Sequence, residues 1–213
     1  MCLIALSVEK SKDWNGKESY FFKIIANRDE YHERKTTVMH WWSNKEILAG
    51  KDEEAGGTWL GTNREGKFGA ITNLKENSAI KYDSSRGRLV TDFLESNLSA
   101  KAYLEEIEPV MENYAGFNLI VGDKKGLFYL CNRLEGIFFI SEGVHALGNL
   151  TLNSSTKKVE AIKHDLNDIL HEGFSVEKGF NVMKKEYGNL HEKTKKELQV
   201  DLARSANLCS DQP

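Results

Sequence analysis

Proline is almost missing from this chain and cysteine is sparse: 213 residues contain two prolines and three cysteines. No low-complexity segment or internal repeat fills the gaps between its apolar runs. Cys2, Cys131 and Cys209 lie far apart, form no CxxC pair and leave one over, which argues against a disulfide framework or a cysteine zinc site and fits a reducing compartment. No apolar run approaches the ~20 residues that a membrane helix needs. The opening run Leu3–Val8 is too short for a signal-peptide core and has no basic residue before it. The expectation is a cytoplasmic protein without a membrane span. A formal net charge of -3 gives no electrostatic reason to expect nucleic acid or an anionic membrane as partner. The glycine-rich stretch from Ala55 to Asn73 is not a phosphate loop, because it lacks the lysine-serine/threonine ending and the helix that would follow. His32 and His40, eight residues apart beside Trp41 and Trp42, match no metal-ligand spacing and read first as exposed loop residues. No metal or cofactor is expected.

What the chain does have is an ordinary globular balance, 40% hydrophobic and 29% charged, and enough length to bury a sizeable core. Residues 2–8 and 20–26 read as two apolar strands joined through a turn at Asn15-Gly16. Residues 31–52 read as polar and irregular. The segment 55–73 reads as two short strands meeting at residues 63–66, with Gly66 at a turn position that needs positive φ and Gly56, Gly57 and Gly61 marking close backbone approach or bulges. A charged loop from Lys75 to Arg88 leads into helices over 89–98 and 100–114, with Ser99 as a cap between them. Strands follow at 117–122, 127–132 and 136–140, then Gly143–Asn149, then an amphipathic helix over about 155–172 capped by Ser154 or Ser155, and weaker helix to about 200. Strands, helices, strands, helices in that order predict an α+β protein with antiparallel sheet.

Cys2 stands directly behind the initiator methionine. Alone, it reads first as a small buried residue opening a strand. If Met1 is removed, however, a thiol of pKa ~8.5 and an α-amine of ~7.7–8.0 share one residue, a nucleophile with its own base. Asn27-Arg28-Asp29-Glu30 closes the second strand and reads as a solvated turn or as side chains held at the mouth of a site. Asn73, Asn118 and Asn149 stand at strand ends, where asparagine is common in turns but can also donate N–H to a developing oxyanion. His145 could act as a base towards a cysteine, although an N-terminal thiol already carries one.

The motifs Met1-Cys2-Leu3-Ile4, Ala26-Asn27-Arg28-Asp29-Glu30-Tyr31, Gly56-Gly57-Thr58-Trp59-Leu60-Gly61, Thr72-Asn73, Arg86-Gly87-Arg88-Leu89-Val90 and Gly116-Phe117-Asn118-Leu119-Ile120 run in order from residue 1 to about 150. Together they closely resemble the NRDE family, that of the transport and Golgi organisation protein. The resemblance implies one N-terminal nucleophile (Ntn) hydrolase-like domain over residues 1–213, an αββα sandwich of two antiparallel sheets between helical layers. It also implies kinship with cysteine amidohydrolases such as penicillin V acylase and bile salt hydrolase. Carried over, Cys2 is the nucleophile, Arg28 and Asp29 lie beside it, and Asn73 and Asn149 are the oxyanion donors. Asn27, Glu30, Trp59 and Asn118, in the same motifs, are the expected substrate contacts. Two departures stand out: Leu147-Gly148-Asn149 replaces the family's usual Leu-Ser-Asn, and its Tyr-Gly-Thr-Arg-like C-terminal motif is missing, so the expected fold lacks its C-terminal strands. The expected function is hydrolysis of a C–N amide bond in a small molecule. The alternative is a non-catalytic ligand-binding protein linked to haem trafficking or secretory-pathway organisation, with haem as a partner. The sequence leaves the oligomeric state open.

Overall fold

Antiparallel strands dominate the structure, a computed structural model that describes residues 2–12, 15–28, 30, 33–43, 45–74, 82 and 84–185. The chain forms two compact units and passes between them repeatedly: the first comprises 1–10, 21–29 and 141–213, the second 11–20 and 30–140.

The first unit is built on a three-stranded sheet in the order β10-β1-β2, formed by β1 (Leu3–Lys12), β2 (Glu18–Asn27) and β10 (Gly143–Leu147). The tip of the β1–β2 hairpin, residues 11–20, groups with the second unit, and Gly16 in its turn has φ +75°. β1 pairs antiparallel with β10, with Ile4 opposite Leu147 and Val8 opposite Gly143. Leu3, Ala5, Ile25 and Ala146 pack against Val159, Ile162, Leu166 and Ile169 of α3 (Lys157–His171) and Val182 of α4 (Val176–Met183). The α3 residues recur every three or four positions, which puts them on one helix face. Thr156 caps α3 by accepting from the N–H of Val159, so the cap falls one residue beyond the expected serines. α4 comes close to β2 at a glycine: a Cβ on Gly179 would lie 3.0 Å from Ile25 Cγ2.

The second unit is built on a seven-stranded antiparallel sheet running β3 to β9 in sequence order. Its strands are β3 (Thr36–Trp41), β4 (Ile47–Asp52), β5 (Leu60–Asn63), β6 (Phe68–Asn73), β7 (Phe117–Asp123), β8 (Gly126–Cys131) and β9 (Phe138–Ile140). β3 and β4 correct the irregular reading of residues 31–52. β3 is an edge strand with a register shift between Thr37 and His40 and little burial, so it shows no period-two pattern. His40 and Trp41 therefore sit on a strand rather than a loop, Arg64 stacks over Trp41 at 4.1 Å, and buried Trp42 donates to the Ala49 carbonyl at 3.1 Å. His32 lies outside the described residues.

α1 (Arg86–Glu95) and α2 (Ala100–Ile107) pack Leu89, Val90, Phe93, Tyr103 and Leu104 against Ile71, Phe117, Leu119, Val121 and Leu130 of the sheet. Ser99 caps α2 by accepting from Ala102 N–H at 3.3 Å, as expected. α2 is shorter than expected. Pro109 cannot donate an N–H, and the chain tightens into a 3-10 helix over Glu108–Asn113. Gly57 explains much of the glycine-rich segment: a Cβ there would sit 2.7 Å from the backbone carbon of Gly87. Gly66 has φ +84°, as its turn position requires.

Two antiparallel sheets with helices confirm the α+β class. Residues 186–213, where weaker helix was expected to about 200, lie outside the described residues.

Candidate functional site

The site is assembled at one end of the three-stranded sheet. β1 and β2 are neighbouring strands joined by a short connection, and so short a link permits only antiparallel pairing. The Leu3 end of β1 therefore lies beside the Asn27 end of β2. On the other flank Ile4 is opposite Leu147, the last residue of β10, so Cys2 and Asn149 both lie just beyond the same end of the paired strands. Cys2, Asn27, Arg28 and Asn149, far apart in sequence, converge on this edge.

Strand alternation gives the site a face. Leu3 and Ala5 point to the α3–α4 side, so Ile4 and Leu6 point to the other, and Cys2 continues their phase. Ile4 and Leu6 are fully buried, and Cys2 is half-buried. Cys2 carries a reduced thiol at the rim of a packed surface. Arg28 is half-buried and Asn27 exposed. Asn149 is half-buried, with its Oδ1 sealed from solvent.

Asp29 lies outside the described residues. The other expected site residues belong to the second unit. Asn73 is exposed at the last position of β6, opposite Phe117. Trp59 is half-buried against the core of that unit, and its carbonyl accepts from Ile71 N–H at 2.8 Å. Glu30 is half-buried, 3.9 Å from Arg34. Asn118 is completely buried: Tyr129 donates to its Oδ1 at 2.6 Å, and its Nδ2 donates to Thr72 Oγ1 at 3.2 Å.

His145 has a structural task. Its Nδ1 accepts from Asn153 Nδ2 at 2.9 Å, so the ring proton sits on Nε2 and donates to the Ser141 carbonyl at 2.9 Å. Burial pushes its pKa down, the Ser141 carbonyl opposes that, and Lys163 adds to it. It stands opposite Leu6, with both ring nitrogens engaged, and is not placed to serve Cys2. Asn153 was not singled out from the sequence. It adopts φ +56° and ties the segment after β10 back to the strand, donating its N–H to the Ala146 carbonyl and accepting Ala146 N–H at Oδ1. The polar run Asn153-Ser154-Ser155 ahead of a helix was the available signal. Among the described residues one group has metal-ligand spacing, His164, Asp165 and Asp168 on α3. His164 pairs with Asp168 at 3.1 Å and Asp165 with Lys185 at 2.8 Å. No described helix is long and apolar enough to cross a membrane, which leaves β-barrels unaddressed.

Comparison with known proteins gives three results. The family model described as Transport and Golgi organisation 2 matches residues 1–209. The Transport and Golgi organization 2 homolog of Mus musculus is 37% identical over 153 residues, covering 67% of this chain and 55% of that protein; its Homo sapiens counterpart is 35% identical over the same span. The chain thus spans about half the length of the curated relatives it matches. Among solved structures, the Caenorhabditis elegans N-acylethanolamine-hydrolyzing acid amidase ortholog matches with a TM-score of 0.60 at 12% identity, covering 89% of each chain. This likeness shows an Ntn-hydrolase-like fold.

Proposed function

Because the chain belongs to the Transport and Golgi organisation 2 family, and folds like an Ntn hydrolase, we propose that it is a cysteine amidohydrolase whose nucleophile is Cys2 once Met1 is removed. The observation that carries the reading is the register of the small sheet. It brings the strand ends that neighbour Cys2, Arg28 and Asn149 to one end of the sheet, which supports the reading.

In this reading the α-amine of Cys2 takes the thiol proton as Sγ attacks the amide carbonyl. The tetrahedral oxyanion accepts N–H from the Asn149 side chain. Collapse breaks the C–N bond, and the α-ammonium gives its proton to the departing amine. Water, deprotonated by the same α-amine, then attacks the thioester and releases a carboxylic acid and the thiol. Arg28 lowers the cost of the thiolate or grips an acidic substrate group. Asp29 and Asn27 complete the proposed machinery. Asn118, being buried, contributes by holding Thr72 rather than by touching substrate. Both units form one domain in this proposal, and the protein works in the cytoplasm on a small-molecule amide. The structural neighbour is named for hydrolysing N-acylethanolamines, which makes N-acyl amides the first substrates to try.

The test incubates the protein and its Cys2→Ala variant with a panel of N-acyl amides and with an electrophilic amide analogue. Turnover and covalent labelling in the parent, both lost in Cys2→Ala, are expected. A Cys2→Ala variant as active as the parent overturns the reading. Saturable binding without turnover moves it to a ligand-binding protein, and haem is tested there by a saturable Soret shift.

A further inference from the structure

Thr151 and Ser154 lie in the segment linking β10 to α3 and are among the least accessible polar residues described, at 0% and 1% exposure. Among the described residues neither Thr151 Oγ1 nor Ser154 Oγ has a hydrogen-bond partner. Their backbones are already committed: Ser154 N–H donates to the Thr151 carbonyl at 3.2 Å and Thr156 N–H to the Ser154 carbonyl at 2.8 Å. The segment is clamped within and just before this turn. Asn153 bonds Ala146 in both directions and also His145, and Leu150 and Leu152 are buried. Swinging the hydroxyls out to solvent would tear those contacts. A buried hydroxyl left without a partner costs more than immobilising one water molecule does, and native proteins meet such groups with ordered water.

We propose that the β10–α3 segment encloses an ordered-water site, held by Thr151 Oγ1 and Ser154 Oγ, that fixes the stretch of backbone carrying Asn149. Water is the ligand class that fits. Each hydroxyl offers a donor and acceptors, and both oxygens are buried. Asn149 lies two residues before Thr151, so the water stiffens the backbone that leaves β10 at the Cys2 end of the sheet. The inference does not rest on the hydrolase reading, because it is tested without activity.

The experiment is thermal unfolding of the full chain and of Thr151→Val, Ser154→Ala and Thr151→Ser, with amide hydrogen exchange at Asn149. Removing either hydroxyl is expected to lower Tm by about 2–4 °C and to speed exchange at Asn149, while Thr151→Ser keeps the parent values. Unchanged or raised Tm in both Thr151→Val and Ser154→Ala overturns the proposal, since relieving a dry, unpaired hydroxyl is neutral or stabilising. Should those variants not fold, water-to-amide cross-relaxation at Ser154 and Thr156 in the parent decides. A long-lived water signal supports the site, and its absence overturns it.

Discussion

Asn153 donates from Nδ2 to Nδ1 of His145 at 2.9 Å, while its Oδ1 accepts Ala146 N–H at 3.1 Å. The bond requires a neutral imidazole. Protonating Nδ1 would set two donors against each other, and Asn153 cannot flip its amide without losing Ala146. Burial, with Lys163 adding to it and the Ser141 carbonyl opposing, holds the His145 pKa below its ordinary value near ~6.5. The unfolded chain therefore binds more protons in this range. The stability His145 contributes is complete above about pH 6.5 and drains away as pH falls towards the folded value. Tm measured from about pH 7 down to about pH 5 should fall in the parent and stay flatter in His145→Gln, which keeps an acceptor but does not titrate. Parallel profiles would refute this.

The buried chain Tyr129–Asn118–Thr72 crosses three neighbouring strands of the large sheet. Tyr129→Phe removes a donor to the buried Asn118 Oδ1, at a cost of about 1–3 kcal/mol in urea unfolding. Phe128→Tyr on the same strand offers no such donor to Asn118 and should not compensate.

Gly57 and Gly87 cross backbone to backbone. A methyl at Gly57 would meet the Gly87 carbonyl carbon at 2.7 Å and its oxygen at 2.8 Å, and no flexible side chain can yield. Gly57→Ala should cost about 1–3 kcal/mol, measured by denaturant midpoint, whereas Gly136→Ala meets no atom and is strained only by its φ of +90°.

Much of the fold was legible because its central strands and helices carry strong periodic signals. Leu3–Val8, Phe117–Gly122 and the Val159–Ile162–Leu166–Ile169 stripe are all buried where the pattern puts them. The β3–β4 pair was not legible. An edge strand with a register shift buries too little to write a period into the sequence. Of the candidate site, the residue types around Cys2, Arg28 and Asn149 could be read, but their convergence could not. It depends on β10 pairing with β1 across more than a hundred residues of chain, a long-range choice with no local signature. Asn153, Thr151 and Ser154 escaped for a related reason. They looked like ordinary turn residues, and only burial gives them a role.

Asn149 gives a sharper kinetic expectation within the proposed mechanism. Asn149→Ala should reduce kcat by about 10²–10³-fold with little change in KM, the signature of a donor engaged in the transition state. A change confined to KM would make Asn149 a substrate contact instead.

The central claim is that Cys2 becomes the N-terminal residue and there combines nucleophile and base. The intact mass of the purified protein tests it most directly. The account predicts a chain lighter by one methionine residue, with Cys2 exposed as the new terminus. A mass that retains Met1 would leave Cys2 without its own α-amine and would contradict the mechanism.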